Sequence, residues 1–194
     1  MKVQIIGGSG TGKSTLAKFI SEKENIKWID TDRYLWKDEL FTENHPIEKR
    51  KEMYEKDMES ECDYVVSGSI FSWNANGFHN RDLLVFLYLD EEIRMERLRK
   101  REISRDDTKK TWRDENGNLT NEFIEWCKTY LKERDNTQIG TYAAQSYEIE
   151  LSKSSILKLD SSQSVEKLYS KVRASLKSNS TFSNVINREK KEEI

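Results

Sequence analysis

Short runs of β-branched and aromatic residues alternate along this chain with longer amphipathic segments. The runs predict strands over residues 2–6, 26–30, 63–67, 83–89 and 155–159. The spacing of apolar residues between them predicts helices near 13–24, 46–60, 91–103, 120–134, 137–151 and 164–177. This alternation is typical of an α/β fold with three layers, in which a five-stranded parallel sheet carries helices on both faces. In such folds ligands lie at the carboxyl ends of the strands.

A glycine-rich segment follows the first predicted strand directly. It reads Gly7-Gly8-Ser9-Gly10-Thr11-Gly12-Lys13-Ser14-Thr15 and contains the phosphate-loop pattern G-x-x-x-x-G-K-S/T. Glycines let backbone N–H groups turn toward an anion, and the positive end of the next helix points at the same anion. Lys13 can reach the β- and γ-phosphates, and the Ser14 hydroxyl can bind Mg²⁺. We therefore predict that residues 8–15 bind a nucleoside triphosphate; a glycine turn that binds nothing is the alternative.

Two carboxylates separated by one residue end the second predicted strand, at Asp30-Thr31-Asp32. In extended backbone, residues i and i+2 project to the same face, so both side chains should meet the phosphate site. We expect Asp30 to hold Mg²⁺, directly or through water. We expect Asp32 to accept a hydrogen bond from an acceptor hydroxyl. Capping of the following helix is the alternative for this pair.

The segment of about residues 33–62 is predicted to be a helical region that binds the acceptor. Arg33 lies at its start, and Gly68 and Trp73 follow the third strand, so these three residues join Asp32 as candidate substrate contacts. Gly68 would allow close approach of substrate or of the γ-phosphate. Trp36 and His45 fit the simpler roles of a rim aromatic and a turn residue.

Basic residues concentrate after the fourth strand, where nine of the twenty residues from 94 to 113 are Lys or Arg. Arg97 and Arg101 are four residues apart and share a helix face, as two groups must if they clamp one nucleotide. A polar turn at 114–118 suits a mobile lid, predicted to be small and helical over about 102–122, that excludes water from a transfer reaction. A solvated basic helix face is the alternative, and we accept it for Arg99 and Lys100.

Length and charge narrow the range of partners. The 194 residues suit one domain, predicted over 1–177, with a polar tail over 178–194 that is expected to be a solvated helix or a frayed end. A net charge of −2 gives no electrostatic case for nucleic acid or an anionic membrane. No apolar run approaches the roughly 18 residues of a membrane span, and Met1-Lys2 leads straight into a strand, so we expect a cytoplasmic protein. Cys62 and Cys127 are expected to be reduced structural thiols.

Several of these segments resemble one family of enzymes. The chain is similar to phosphate-loop kinases of the adenylate kinase and shikimate kinase type, and more narrowly to bacterial adenylate-kinase-related (topology modulation) proteins. The matching segments are the phosphate loop, Asp30-Thr31-Asp32, Val66-Ser67-Gly68, Leu87-Tyr88-Leu89-Asp90, Arg97-x-x-x-Arg101, Glu122-Phe123-Ile124-Glu125-Trp126, Leu157-Lys158-Leu159-Asp160-Ser161-Ser162 and Val165-Glu166-Lys167-Leu168.

The resemblance implies a role for several residues. Arg97 would pack on the adenine ring of ATP, Arg101 would contact the transferring phosphate, and Ser161 and Ser162 would touch adenine through their backbone. Two departures shift the expected acceptor. Ser67 stands where many relatives place an aspartate that binds Mg²⁺, and no arginine follows Gly68 to grip an acceptor phosphate. The Asp30 and Asp32 pair is closer to the pattern of shikimate and gluconate kinases, which phosphorylate a hydroxyl.

The expected activity is Mg²⁺-dependent phosphoryl transfer from ATP to a small acceptor, either a hydroxyl compound or a nucleoside or nucleotide. Lys13, Asp32 and Arg101 would be its catalytic residues. The alternative is a regulatory phosphate-loop NTPase that acts on DNA or another macromolecule through the basic lid. The expected partners are ATP and the acceptor, with neither nucleic acid nor membrane, and the sequence leaves both monomer and homodimer open.

Overall fold

The computed structural model describes residues 1–38, 43–59, 62–105 and 111–192, with side chains described outside 103–105 and 179–192. The strands are β1 (Lys2–Gly7), β2 (Lys27–Asp30), β3 (Tyr64–Ser67), β4 (Leu83–Tyr88), β5 (Trp112–Arg113), β6 (Leu119–Thr120) and β7 (Ser155–Asp160). The helices are α1 (Lys13–Glu24), α2 (Asp32–Leu35), α3 (Ile47–Met58), α4 (Glu91–Arg105), α5 (Glu122–Cys127), α6 (Tyr142–Glu150) and α7 (Val165–Glu192).

Five strands form one parallel sheet in the order β2-β3-β1-β4-β7. β1 lies at the centre, where Ile5 pairs with Ser67 on one side and with Val85 on the other. All five correspond to runs that the sequence pattern predicted, and the predicted fold class is confirmed. Because every strand points the same way, the carboxyl ends of β1, β2 and β3 meet at one edge, which is where the candidate side chains follow.

Helices cover both faces of this sheet, as the two-residue alternation of its strands requires. Val3 and Ile5 point to the face on which α1 and α7 pack. Ile6 points to the opposite face and forms a cluster with Leu84 and Phe86, against which Ile149 of α6 packs. On that second face, Ile29, Tyr34, Tyr64, Val66, Ile70 and Phe78 form a further cluster against α3. None of the described helices has the length and hydropathy of a membrane span.

The structure corrects the predicted helices in three places. The pattern over 120–134 yields only α5, which begins after Asn121, whose side chain accepts from the Ile124 N–H at 2.8 Å. A short helix, α2, follows β2 directly and was not predicted. α7 continues to Glu192, past residue 177, where the pattern predicted its end. The division into a domain and a tail stays a prediction.

The segment predicted as a lid contains a two-stranded hairpin. β5 and β6 pair antiparallel around the predicted polar turn, in which Asp114 accepts hydrogen bonds from the backbone N–H groups of Asn116 and Asn118. Asp114 also pairs with Lys128, just beyond α5, at 3.1 Å. Residues 106–110, including Lys109 and Lys110, lie outside the described part of the chain, so the lid as a whole stays a prediction.

The turn after β3 fits closely against the end of β2. Gly68 has a φ of +107°, and a Cβ placed on it would lie 2.0 Å from the Thr31 hydroxyl. A glycine is therefore needed here for two reasons: the backbone conformation disfavours a side chain, and Thr31 fills the space that a side chain would take.

We expect Gly68→Ala to lower the free energy of unfolding by about 3 kcal/mol, because backbone strain and overpacking add. Gly117 is the matched control, since it also has a positive φ, +76°, but a Cβ there would meet no atom within 4 Å. Gly117→Ala should cost about 1 kcal/mol from strain alone. Urea denaturation of the two variants measures the difference, and equal losses would contradict the close fit against Thr31.

Candidate functional site

The loop between β1 and α1 is shaped as a cradle for an anion. Gly12 caps α1 with a φ of +87° and supplies no side chain to the N–H groups of the first helical turn. A Cβ on Gly12 would meet nothing within 4 Å, so this part of the loop faces open space. Uncapped N–H groups and the positive end of a 12-residue helix are together what a phosphate requires. The residues present thus fit a triphosphate.

Bonds inside the loop fix its curvature. The Gly8 carbonyl oxygen accepts from the Thr11 N–H at 3.3 Å, from the Thr11 hydroxyl at 2.8 Å and from the Lys13 ammonium at 3.1 Å. Ser14 is half-buried in the first turn of α1, and Thr15 beside it is exposed. The Lys13 side chain therefore lies folded over the loop, where a bound phosphate would meet it.

Arg94 of α4 holds the outer side of the loop, and sequence reasoning missed this role. Its guanidinium is 1% exposed and donates to the Ser9 carbonyl at 2.9 Å and to the Cys127 carbonyl at 2.8 Å. It also makes a two-pronged ion pair with Glu91, at 2.8 and 2.7 Å. The only sequence signal was the spacing of Glu91 and Arg94 by three residues on one helix.

Two more contacts complete the support of the loop from outside. The Arg94 guanidinium lies 4.8 Å from the centre of the Tyr130 ring, and a Cβ on Gly8 would meet that ring at 3.0 Å. A Cβ on Gly10 would meet the Leu98 side chain at 2.9 Å. The glycines of the motif are thus needed for packing against α4 and Tyr130 as well as for space on the phosphate side.

Four charged side chains converge on the inner side of the loop. Burial lowers the pKa of Lys13, the carboxylates of Asp32 and Asp30 act to raise it, and the cation of Arg101 acts to lower it. Burial raises the pKa of Asp30, and the neighbouring Asp32 carboxylate adds to this. The structure therefore brings together Lys13, Asp30, Asp32 and Arg101, which are separated by up to 88 positions along the chain.

Asp30 and Asp32 meet the site by a different route from the one predicted. β2 ends at Asp30, and Thr31 turns into helical backbone with φ −71° and ψ −18°. Asp32 is then the first residue of α2, so the argument from extended backbone was wrong. Its own N–H donates to Asp30 Oδ1 at 3.2 Å, which keeps the two carboxylates adjacent.

A cavity of about 150 Å³ adjoins the loop, between the first turn of α1 and the start of α7. Arg97 lies at its edge and donates to the Ser161 carbonyl at 3.3 Å. The lining residues are Thr11, Gly12, Thr15, Leu16, Arg97, Ser161, Gln163, Val165 and Leu168. Ser162 lines a neighbouring depression instead, with Tyr88, Leu89, Asp90, Ile93 and Asp160. Arg97 and Ser161, which were predicted to hold adenine, thus share one cavity beside the phosphate loop.

Arg101 projects from α4 one turn beyond Arg97. It lies 3.5 Å from the Glu102 carboxylate, and its guanidinium is 5.6 Å from the centre of the Phe123 ring of α5. Contacts to both α4 and α5 hold this cation near Lys13.

The three other predicted substrate residues have partners within the protein. Arg33 forms an ion pair with Asp57 of α3, which also accepts from the Tyr34 hydroxyl at 2.6 Å. The Trp73 ring stands edge-on to Tyr34 with 6.0 Å between ring centres. Gly68 packs on Thr31, as described above. These contacts anchor α2 and the loop after β3, and contact of the three residues with a substrate stays a prediction.

Comparison with known proteins gives the family of this chain. A family model described as an AAA domain matches residues 3–125. The chain belongs to this family, and it is similar to P-loop kinases of the adenylate kinase and shikimate kinase type.

Individual relatives include one of unknown function and two kinases. The uncharacterized protein YqaC of Bacillus subtilis is 34% identical over 128 residues, which cover 66% of this chain and 71% of that protein. A cytidylate kinase of Archaeoglobus fulgidus is 34% identical over 53% of this chain and 62% of its own length. A shikimate kinase of Staphylococcus aureus is 34% identical over 30% of this chain and 33% of its own length. Both kinase matches span less than two thirds of the relative.

Solved structures with the same fold cover nearly the whole chain. The shikimate kinase from Aquifex aeolicus vf5 superposes with a TM-score of 0.53 and 17% identity, over 93% of this chain and 99% of its own. A gluconokinase from Sinorhizobium meliloti 1021 superposes with a TM-score of 0.51 and 16% identity, over 97% of this chain and 96% of its own. At these identities the likeness establishes the fold.

The contacts of Arg94 predict a large effect of a conservative substitution. Arg94→Lys should lower the free energy of unfolding by about 3 kcal/mol, because one ammonium cannot serve two carbonyls and a carboxylate in the same buried place. Arg173 is the control, since it makes a half-exposed ion pair with Glu24 at 3.2 Å. Arg173→Lys should cost less than about 1 kcal/mol. Urea denaturation compares the two, and similar losses would show that Arg94 does not hold the loop.

Proposed function

We propose that this protein is a small-molecule kinase, which transfers the γ-phosphoryl group of ATP to the hydroxyl of an acceptor. The observation that carries the proposal is the open anion cradle between β1 and α1, with Lys13 folded over it and the adjacent carboxylates of Asp30 and Asp32 at the same edge of the sheet. The electrostatic effect of Arg101 on the pKa of Lys13 indicates a second cation nearby. Two cations and two carboxylates beside an anion cradle match the needs of phosphoryl transfer, which are positioning and charge stabilisation.

The donor half of the site would bind ATP. Backbone N–H groups of the loop would hold the phosphates, with Lys13 across the β- and γ-phosphates. The adenine ring would enter the cavity between Arg97 and Ser161, where a guanidinium can stack on it. Ser14 and Asp30 would hold Mg²⁺ together with phosphate oxygens, and the metal would neutralise charge between the β- and γ-phosphates.

The acceptor half would lie beyond the ends of β2 and β3. Asp32, in the first turn of α2, would accept a hydrogen bond from the acceptor hydroxyl and orient its oxygen toward the γ-phosphorus. That oxygen would bond to phosphorus as the bond to the β–γ bridging oxygen breaks; the hydroxyl proton would pass to the Asp32 carboxylate, and ADP would leave. Arg101, held between α4 and α5, would stabilise the charge on the group in transfer.

The residue after Gly68 supports a hydroxyl compound over a nucleotide as acceptor. Ser69 occupies this position, and its hydroxyl donates to the buried Glu148 carboxylate at 2.5 Å. A neutral serine in front of the Glu148 carboxylate is poorly suited to hold the phosphate of a nucleotide, because the carboxylate and the phosphate are both negative. An acceptor that presents only hydroxyl groups at this point meets no such repulsion.

We expect two substitutions to separate binding from transfer. Lys13→Ala should lower phosphoryl transfer at least about 100-fold, because a cation on the phosphates is lost. Asp32→Asn should keep ATP affinity within about twofold while lowering turnover about 100-fold or more, because the amide oxygen can still accept a hydrogen bond but cannot take up the hydroxyl proton. Asp135→Asn is the control, since Asp135 caps an exposed turn at Thr137.

The measurement is a coupled ADP-release assay over panels of polyols, sugar acids, nucleosides and nucleoside monophosphates, with ATP affinity measured separately by calorimetry. A phosphorylated hydroxyl compound whose formation depends on Asp32 would support the proposal. Full activity of Asp32→Asn on the true acceptor, or ATP hydrolysis unchanged by every acceptor, would contradict it.

A further inference from the structure

Three side chains at the ends of β2 and β3 share the sheet face that carries α1. Asp30 pairs with Ser67 across the two strands, and Trp28 lies two residues before Asp30 on the same strand. Because side chains alternate along a strand, Trp28, Asp30 and Ser67 all point to one face. Val65, two residues before Ser67, packs there against α1. The three side chains thus lie below the helix whose first turn carries Lys13.

Hydrogen bonds connect the three in a fixed direction. The Trp28 indole N–H donates to the Ser67 hydroxyl oxygen at 3.1 Å. An indole nitrogen can only donate, so Ser67 is the acceptor in this bond. The single hydrogen of the Ser67 hydroxyl is then left for the Asp30 carboxylate, which lies directly across the strand pair from Ser67 on the same face. With Ser67 only 2% exposed, water has little access to compete for that hydrogen.

The indole is itself held in place. The Lys18 ammonium of α1 lies over the Trp28 ring, 4.9 Å from its centre, and the ring packs at the margin of the main core. A cation over the ring face restricts its tilt, so the N–H keeps its direction toward Ser67.

Two donors therefore face Asp30 from the protein side. The Asp32 backbone N–H donates to Oδ1 at 3.2 Å, and the Ser67 hydroxyl lies directly across the strand pair. An ionised carboxylate has about four acceptor positions, so two donors fix its orientation and still leave lone pairs for a ligand. Donors behind a carboxylate are the usual way in which proteins orient a metal ligand.

We propose that Trp28 and Ser67 form a positioning relay that orients the Asp30 carboxylate for the divalent cation of the nucleotide. The proposal rests on the proposed function in one respect, since it takes the nucleotide site as given. Ser67 therefore acts on the metal through Asp30 and is not itself the ligand. Serine suits this role, because an aspartate at the same position would add a third carboxylate beside Asp30 and Asp32.

The test measures cation affinity directly. Binding of Mn²⁺ to the complex of the protein with a non-hydrolysable ATP analogue is followed by the electron paramagnetic resonance signal of free Mn²⁺. Affinity for the analogue without metal is measured by calorimetry, and thermal unfolding monitors the fold. The variants are Ser67→Ala, Ser67→Thr and Trp28→Phe. Ser170→Ala is the control, since the Ser170 hydroxyl bonds only the carbonyl of Glu166 on its own exposed helix among the contacts described.

Ser67→Ala should weaken Mn²⁺ binding about 10-fold, the usual scale for loss of a group that orients a metal ligand, and leave metal-free analogue affinity within about twofold. Trp28→Phe keeps the ring but removes the N–H, and should fall between wild type and Ser67→Ala. Ser67→Thr keeps the hydroxyl and should stay within about twofold of wild type, as should Ser170→Ala.

Three outcomes would overturn the relay. In folded Ser67→Ala, these are Mn²⁺ affinity equal to that of the wild type, or a loss of metal-free analogue affinity as large as the loss of Mn²⁺ affinity. The third is wild-type Mn²⁺ affinity in Trp28→Phe when Ser67→Ala has lost affinity. Failure of the proposed function looks different: the expected Mn²⁺ pattern with no phosphoryl transfer to any acceptor would support the relay and overturn the kinase activity.

Discussion

The structure depends on the loop between β1 and α1. Its backbone must turn N–H groups toward an anion on one side, while the other side of the loop packs against α4 and Tyr130. Glycines make the turn possible, but they supply no side chains to hold it. Arg94 supplies the missing contacts, since one buried guanidinium bonds the Ser9 carbonyl and the end of α5 together. The loop is thereby joined to α4 and α5, the elements that also carry Arg97, Arg101 and Phe123.

The parallel sheet brings further side chains to this loop. Strand ends that are distant in sequence meet at one edge, so Asp30 and Asp32 come to face Lys13. A cavity between Arg97 and Ser161 lies on one side of the loop, whereas α2 and the turn at Gly68, where we propose that the acceptor binds, follow the ends of β2 and β3. Ser67 and Ser69 are neutral, at the two positions where nucleotide kinases were expected to place an aspartate and an arginine.

Local patterns in the sequence predicted the features that depend on local chemistry. The phosphate loop and the five sheet strands follow from spacing and residue type, and both are found where predicted. Arg94 was one of nine basic residues in its segment, and its burial could not be read from the sequence. The bond from Trp28 to Ser67 spans 39 positions, so no spacing rule could reveal it. Asp30 and Asp32 were rightly placed together, but the helical turn at Thr31 depends on packing against Gly68.

The central claim is that residues 8–15 form a preformed anion cradle that binds the phosphates of ATP. Amide hydrogen exchange, measured with and without a non-hydrolysable ATP analogue and Mg²⁺, tests it most directly. We predict slower exchange at the loop amides and in the first turn of α1, with a second protected segment at 161–163 beside the cavity. Lys13→Ala should abolish this protection. Unchanged exchange over residues 8–15, or protection confined to other segments, would contradict the account.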